Sequence, residues 1–304
     1  MAGGNNYIKI MKKITIVTGT GDHLGTGHFQ RMVNLAMNIN REQNLSASIF
    51  LPQNNELSLT EKFKDILIEN IPHDTDLIIR DMRDSSIEEM KNLKAIAPVL
   101  TIDDIGEGRN LANYTLYLLP NKLESPDSIK LNHKLFLYGY NFIHGIQSLK
   151  EKKSIKKDID IAIYLGFNPD KELISNIKKS ISKDLSSILL VNDIGYAEIL
   201  CRSKIVVTHF GITMFEAHLC GCKIAALNPS DYHSALTDLV YDEFGILHKS
   251  YYTTFMQDKM FDIIEQNLKI INDKVIRIDN ILKKINSGNE NFIKYICEVL
   301  YVTV

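Results

Sequence analysis

Short apolar runs rich in β-branched residues alternate with longer amphipathic stretches along almost the whole chain, and the alternation stops once and restarts. The first series runs ITIV, an amphipathic stretch after Gly27, ASIFL, a segment of helical spacing over 60–70, DLIIRD, SSIEEMKNLKAI, PVLTIDD, TLYLLPN and KLFLYG. Short β-branched runs read as buried strands, and stretches with apolar residues three and four apart read as helices. Their alternation predicts a mostly parallel sheet covered by helices. SLKEKKSIKKD is polar and basic without apolar periodicity, so it reads as an exposed connector. The pattern then resumes with DIAIYLGF, a helix over 171–183, SSILLV, a helix over 195–202, KIVVTHFG, a helix over 213–219 and KIAALNP. From about Phe255 onward the chain reads as helical. With 304 residues there is enough chain for two cores. The expectation is an N-terminal extension over 1–11 and two Rossmann-like α/β domains, 12–147 and 158–304, facing a central cleft.

Two strand-to-helix turns carry the chemistry. In GTGDHLGTGHFQRMVNLA, Gly19, Gly21, Gly25 and Gly27 follow the strand ITIV and lead into a helix whose apolar face is Phe29, Met32, Val33, Leu35 and Ala36. Ligands of such folds bind at the carboxyl ends of the strands, where this turn lies. Gly21, Gly25 and Gly27 let a phosphosugar approach the backbone, with Asp22 in the same loop. His28 at the helix entrance is the candidate general base and His23 its competitor; an imidazole titrates near neutrality, which suits that role.

KIVVTHFGITMFEAHLCG repeats the logic in the second half. The N–H groups of Gly211, Ile212 and Thr213 at a helix start suit a pyrophosphate, with Glu216 accepting from ribose hydroxyls. A structural alternative is a capping box, in which Thr213 caps the helix and Glu216, three residues on, caps back. Asp231, Tyr232 and His233 in NPSDYHSALTDL either close the same pocket or are ordinary polar turn residues.

Composition removes several classes of function. Apolar residues make up 45% and charged residues 24%, as in globular proteins, and the net charge is −2, which gives no sign of a nucleic-acid partner. No apolar run is long enough to span a bilayer, and MAGGNNYIKI lacks the apolar centre of a signal peptide. Cys201, Cys220, Cys222 and Cys297 form no CxxC framework and fit reduced thiols of a cytoplasmic protein. The C-x-C of HLCGC lacks the usual zinc spacing, so no metal is expected there.

GTGHFQRMVNLA resembles the G-x-GH-x-x-R-x-x-x-LA element of the UDP-2,4-diacetamido-2,4,6-trideoxy-β-L-altropyranose hydrolases of pseudaminic acid synthesis, a family that includes spore-coat polysaccharide proteins. The resemblance continues in order through DLIIRD, VLTIDDIGEGRN, LYLLPN, LYGYNF, IYLGFNPDK and HFGITMFEAHLCGCKIAALNPSDYH, from about Ile14 to Gly245. The G-I-T-x-F/Y-E element also occurs in the lipid-linked N-acetylglucosaminyltransferase of murein synthesis. The resemblance implies a GT-B fold and a UDP-sugar substrate. It implies that His28 activates water at the anomeric carbon, releasing UDP with inversion, while Glu216 holds the ribose. Asp231 and His233 fall where the family contacts nucleotide or sugar, and neither metal nor cofactor is implied. The chain departs from the family at VTGTGDHL, at Asp81-Met82-Arg83 and around Phe142-Ile143-His144, positions that face the sugar. A GT-B glycosyltransferase and a non-catalytic nucleotide-sugar-binding protein stand as alternatives.

Overall fold

The computed structural model describes residues 11–20, 25–52, 61–119, 134–166, 169–190, 195–255, 259–271 and 275–302. Its first half is a parallel sheet of β1 (Lys12–Thr18), β2 (Leu45–Phe50), β3 (Leu67–Ile68), β4 (Leu77–Asp81), β5 (Val99–Ile102) and β6 (Tyr114–Leu116) in the order β3-β2-β1-β4-β5-β6. Residues alternate between its two faces, as the pleat requires. Ile14, Ile16 and Ile79 face a core with α1 (Gly27–Ile39), whereas Val17, Ile78 and Val99 face one with Met90 and Leu93 of α2 (Ile87–Lys94). Ser86 caps α2 by accepting from the Glu89 N–H.

After α3 (Tyr140–Ser148) and β7 (Ser154–Lys156) comes a second parallel sheet. It contains β8 (Ile159–Tyr164), β9 (Ser187–Leu189), β10 (Ser203–Thr208), β11 (Lys223–Asn228) and β12 (His248–Tyr251) in the order β12-β11-β10-β8-β9. α5 (Tyr196–Arg202), α6 (Ile212–Leu219) and α7 (Asp231–Phe244) contribute to the core on one face. α4 (Lys171–Ser180) and α8 (Met260–Leu268) cover the other. β13 (Val275–Arg277) pairs antiparallel with β7 and leads into α9 (Ile278–Val302). The fold is the two-domain, Rossmann-like α/β arrangement that the alternation predicts.

Four local expectations are corrected. The expected helix over 60–70 is, in its described part, a 3-10 turn over Glu61–Ile66 with a kink at Phe63, followed by β3. KLFLYG is not a strand. Leu135 and Leu137 pack toward the first core while Phe136 and Tyr138 pack toward the second, so its period of two serves two cores rather than one sheet. The connector SLKEKKSIKKD contains β7, and its Lys157 is fully buried, donating to the Ser203 carbonyl and facing Cys222 Sγ at 3.4 Å. The helical tail is interrupted by β13.

α9 and α3 knit the halves together. Ile278, Ile281 and Ile285 of α9 lie in the second core, and Phe292, Ile296, Val299 and Leu300 of the same helix lie in the first. Within α3, Tyr140 joins the first core while Phe142, Ile143 and Ile146 join the second.

Candidate active site

In open α/β sheets a ligand crevice forms where the strand order reverses. In the first sheet that point lies between β1 and β4, and His28 and Asp81 meet across it. His28, the second residue of α1, has Nδ1 2.8 Å from Asp81 Oδ1. Asp81 is fully buried at the end of β4 and is also gripped by Arg31, one turn along α1 from His28. Arg31 donates through Nε to Oδ2 at 2.6 Å and through Nη2 to Oδ1 at 2.5 Å. The same Nη2 donates to Asp103 Oδ2 at 2.7 Å. Asp103 is held by a left-handed backbone (φ 53°) and accepts from the Leu118 and Leu119 N–H groups at 2.7 and 2.9 Å.

Burial pushes the Asp81 carboxyl up, but Arg31 and then His28 outweigh it and hold it well below the usual carboxylate range. An ionised Asp81 accepts from Nδ1–H, which fixes the tautomer and leaves His28 Nε2 as the nitrogen available for proton transfer. The Asp81–Arg31–Asp103 chain in turn holds the carboxylate in place. Sequence reasoning singled out His28 but gave no role to Arg31 or Asp103 and treated Asp81 only as part of a departure facing the sugar. Asp81 is instead the buried partner of His28. The signal available was a GH-x-x-R helix start together with acids ending two successive strands.

Gly25, with φ +66°, makes the turn into α1, a backbone region that glycine enters without the clash of a Cβ. A Cβ at Gly27 would lie 3.5 Å from Ile212 Cγ2, so the start of α1 faces the start of α6 across the two halves. Gly21, Asp22 and His23 lie outside the described residues.

In the second half the strand order reverses between β8 and β10, and His209 follows β10 there. Its ring stacks near Tyr164 at 6.3 Å and meets His233 edge-on at 5.6 Å. Burial, then His233 and Arg83, push His209 down to about 4; burial and then Arg83 do the same to His233. His209 is a site residue that sequence reasoning passed over, although it stands two positions before Gly211.

The capping-box alternative is corrected by the position of the helix start. Gly211 is the N-cap of α6 and makes no side-chain cap, so Thr213 is the second helical residue and Glu216 the fifth, out of capping register. Glu216 is 2% exposed and binds across elements. Its Oε1 accepts from the Gly139 N–H at 3.1 Å, and the Tyr196 hydroxyl lies 2.7 Å from Oε2 and 2.8 Å from Thr213 Oγ1. Burial pushes the Glu216 carboxyl up to about 8, against the hydrogen bonds from Tyr196 and Gly139. A tyrosine hydroxyl has one proton for two neighbours, so while Tyr196 donates to Glu216 its oxygen can accept from the Thr213 hydroxyl.

Asp231, Tyr232 and His233 are not turn residues but form the first turn of α7. Asp231 is exposed, and His233 Nδ1 is 2.8 Å from Ser230 Oγ. Arg83, just beyond β4, places its guanidinium 4.9 Å from the centre of the Tyr232 ring, a contact between the two halves. The structure thus gathers His28, the Gly211–Thr213 turn, Glu216 and His233 along one interface. Among the described residues no cluster of histidines, cysteines and carboxylates could hold a metal ion, and no helix is long and apolar enough to cross a membrane.

No family model and no curated protein matches the chain. Solved structures do. MurG from Acinetobacter baumannii is similar at a TM-score of 0.59 and 12% identity, over 94% of this chain and 99% of that one. UDP-GlcNAc 2-epimerase from Neisseria meningitidis, bound to UDP-GlcNAc, is similar at 0.54 and 10%, over 94% and 100%. The spinosyn rhamnosyltransferase SpnG, complexed with thymidine diphosphate, is similar at 0.53 and 9%, over 93% and 96%. Identity this low speaks to architecture alone, and the chain has the GT-B-like fold of two Rossmann-like domains.

Proposed function

We propose that this protein is an enzyme that takes a sugar from a UDP-sugar and passes it to a hydroxyl acceptor. The observation that carries the reading is the His28–Asp81 pair at the switch point of one sheet, opposite the helix start Gly211–Thr213 of the other. His28 Nε2 removes the proton of the acceptor hydroxyl, and the oxygen attacks the anomeric carbon. The bond from that carbon to the diphosphate breaks, and UDP leaves with the electron pair. The ionised Asp81 steadies the imidazolium that forms. The N–H groups at the start of α6 meet the charge growing on the diphosphate. Glu216 takes the ribose through the lone pairs that Gly139 and Tyr196 leave over, and Asp231 and His233 border the nucleotide. The solved structures named above support this coarse class, since one is an epimerase bound to UDP-GlcNAc and another a rhamnosyltransferase complexed with thymidine diphosphate.

A second reading makes water the acceptor, giving a hydrolase of a UDP-linked diacetamido-trideoxy hexose. The order of motifs from GTGHFQRMVNLA to NPSDYH favours it. One experiment separates the two. UDP-sugars are incubated with and without a pool of hydroxyl acceptors, and both UDP and the sugar are followed by NMR. UDP release only with acceptor supports transfer, and release in water alone supports hydrolysis. An epimerised sugar still joined to UDP overturns both, as does a lack of UDP release and of UDP binding throughout.

A further inference from the structure

Arg83 occupies one of the positions where the chain departs from the family it resembles, and its surroundings are unusual for a half-buried cation. Its backbone is fixed. The Ile105 N–H donates to the Arg83 carbonyl at 2.6 Å, and Asp104 Oδ1 accepts from the Ser85 N–H at 3.1 Å. Its side chain is not pinned in this way. Among the described residues the guanidinium makes no ion pair and rests on the face of Tyr232. Asp231, the adjacent carboxylate on α7, is exposed and forms no bridge to it.

From that point a line of groups leads to the start of α6. The Tyr232 and His233 rings are 5.5 Å apart, and His233 and His209 are 5.6 Å apart. His209 Nε2 lies 3.7 Å from where a Cβ on Gly211 would stand. Asn228, fully buried beside the same turn, accepts from the Phe210 N–H through Oδ1, and its Nδ2 donor has no partner among the described residues. An arginine, two imidazoles and a free amide donor line this path, and the arginine comes from the opposite half of the molecule. Such a set matches a polyanion, and a guanidinium fork matches phosphate oxygens two at a time.

We infer that Arg83 is the cross-cleft counter-cation for the diphosphate of the bound nucleotide: it leaves the Tyr232 ring and closes on phosphate oxygens held at the Gly211 turn. This rests on the nucleotide-sugar reading and adds to it the residue by which the first half senses the diphosphate. Arg83 is a positioning and specificity residue here, and it takes no part in proton transfer.

The test titrates UDP by calorimetry and uridine by ligand-observed NMR into wild type, Arg83→Gln and Arg83→Lys, with melting curves to verify folding. Arg83→Gln is expected to weaken UDP about tenfold to a hundredfold, the range for losing charge-assisted hydrogen bonds. Uridine, which has no phosphate, keeps its affinity. Arg83→Lys recovers part of the loss, since it restores the charge without the fork. Equal UDP affinity in wild type and Arg83→Gln overturns the assignment while leaving the nucleotide reading intact. A parallel loss of UDP and uridine overturns it too, because it reduces Arg83 to a prop between the halves. If wild type binds neither compound, the nucleotide reading fails and this inference fails with it.

Discussion

His28 and Glu216 are both buried, but the neighbours that hold them differ. His28 is paired with a carboxylate that stays ionised, which fixes the orientation of its ring. Replacing His28 with Asn should lower turnover of a correct UDP-sugar by about 10²–10⁴ and leave UDP affinity nearly unchanged, as calorimetry and a rate assay would show. Near-wild-type turnover would move suspicion to His23. Asp81→Asn should act differently, because it also strips Arg31 of one of its two buried carboxylate partners. Breaking such a pair costs about 3–5 kcal/mol, so turnover and denaturation midpoint should fall together.

Glu216 is held differently. Its folded-state pKa of about 8 exceeds the ordinary 4.5, so the folded protein holds its proton more tightly than the unfolded chain does. The resulting stability is fully present below about 4.5 and is lost as the pH rises through about 8. In the absence of nucleotide, the melting temperature should decline across that window, and Glu216→Gln should flatten the decline. An unchanged slope in the variant would assign the pH dependence to other groups.

Between single side chains and the full chain stand the turns that fix where loops lie. GEG in VLTIDDIGEGRN packs tightly against the backbone that follows β4. A Cβ on Gly106 would stand 2.3 Å from both Ser85 N and Ser85 O, and one on Gly108 would stand 2.4 Å from the Ser86 carbonyl oxygen. Those contacts are backbone, which cannot rotate away. Gly106→Ala should therefore cost about 1–3 kcal/mol or more and displace the loop that carries Arg83. Gly211→Ala is the control at the other helix start. Its φ of 164° is ordinary extended backbone, and the new methyl would meet His209 only at 3.7 Å. Gly211→Ala should melt like wild type, yet lose UDP affinity if the nucleotide lies against that turn. A lower melting temperature with UDP affinity retained would contradict the placement of the nucleotide there.

The two halves are not independent beads joined by a linker. At about 1.5 Å per residue, the 25 residues of α9 span roughly 37 Å, enough to reach from one core to the other. Phe292 is completely buried in the core of the first half, together with residues as early as Ile14. Phe292→Ala should cost about 3–5 kcal/mol. Hydrogen exchange should then speed up in β1 and β2, far away in sequence. Faster exchange confined to α9 would mean that the helix merely lies on the first half. Gly288 marks the crossing, since a Cβ there would stand 2.5 Å from the Phe136 carbonyl oxygen.

Strand and helix periodicity is a local property, so the alternation, the two turns and the histidine at a helix entrance could all be read from residue order. So could Gly221 as a helix stop, which adopts the left-handed backbone that its position after α6 asks for. What residue order could not carry is which strand ends become neighbours. Asp81 is 53 residues from His28 and Asp103 is 72 from Arg31. Their meeting depends on β1, β4 and β5 being adjacent in the sheet. The same holds for KLFLYG, whose alternation is that of a strand and whose partners are two cores. Glu216 had the spacing of a cap, but the helix began one residue before Thr213 and turned its carboxylate toward Tyr196 and Gly139. Local pattern is set by the pleat and the helical turn, within a few residues of each side chain. Partners are set by how sheets and helices stack to remove apolar surface from water, and that is a property of the folded chain.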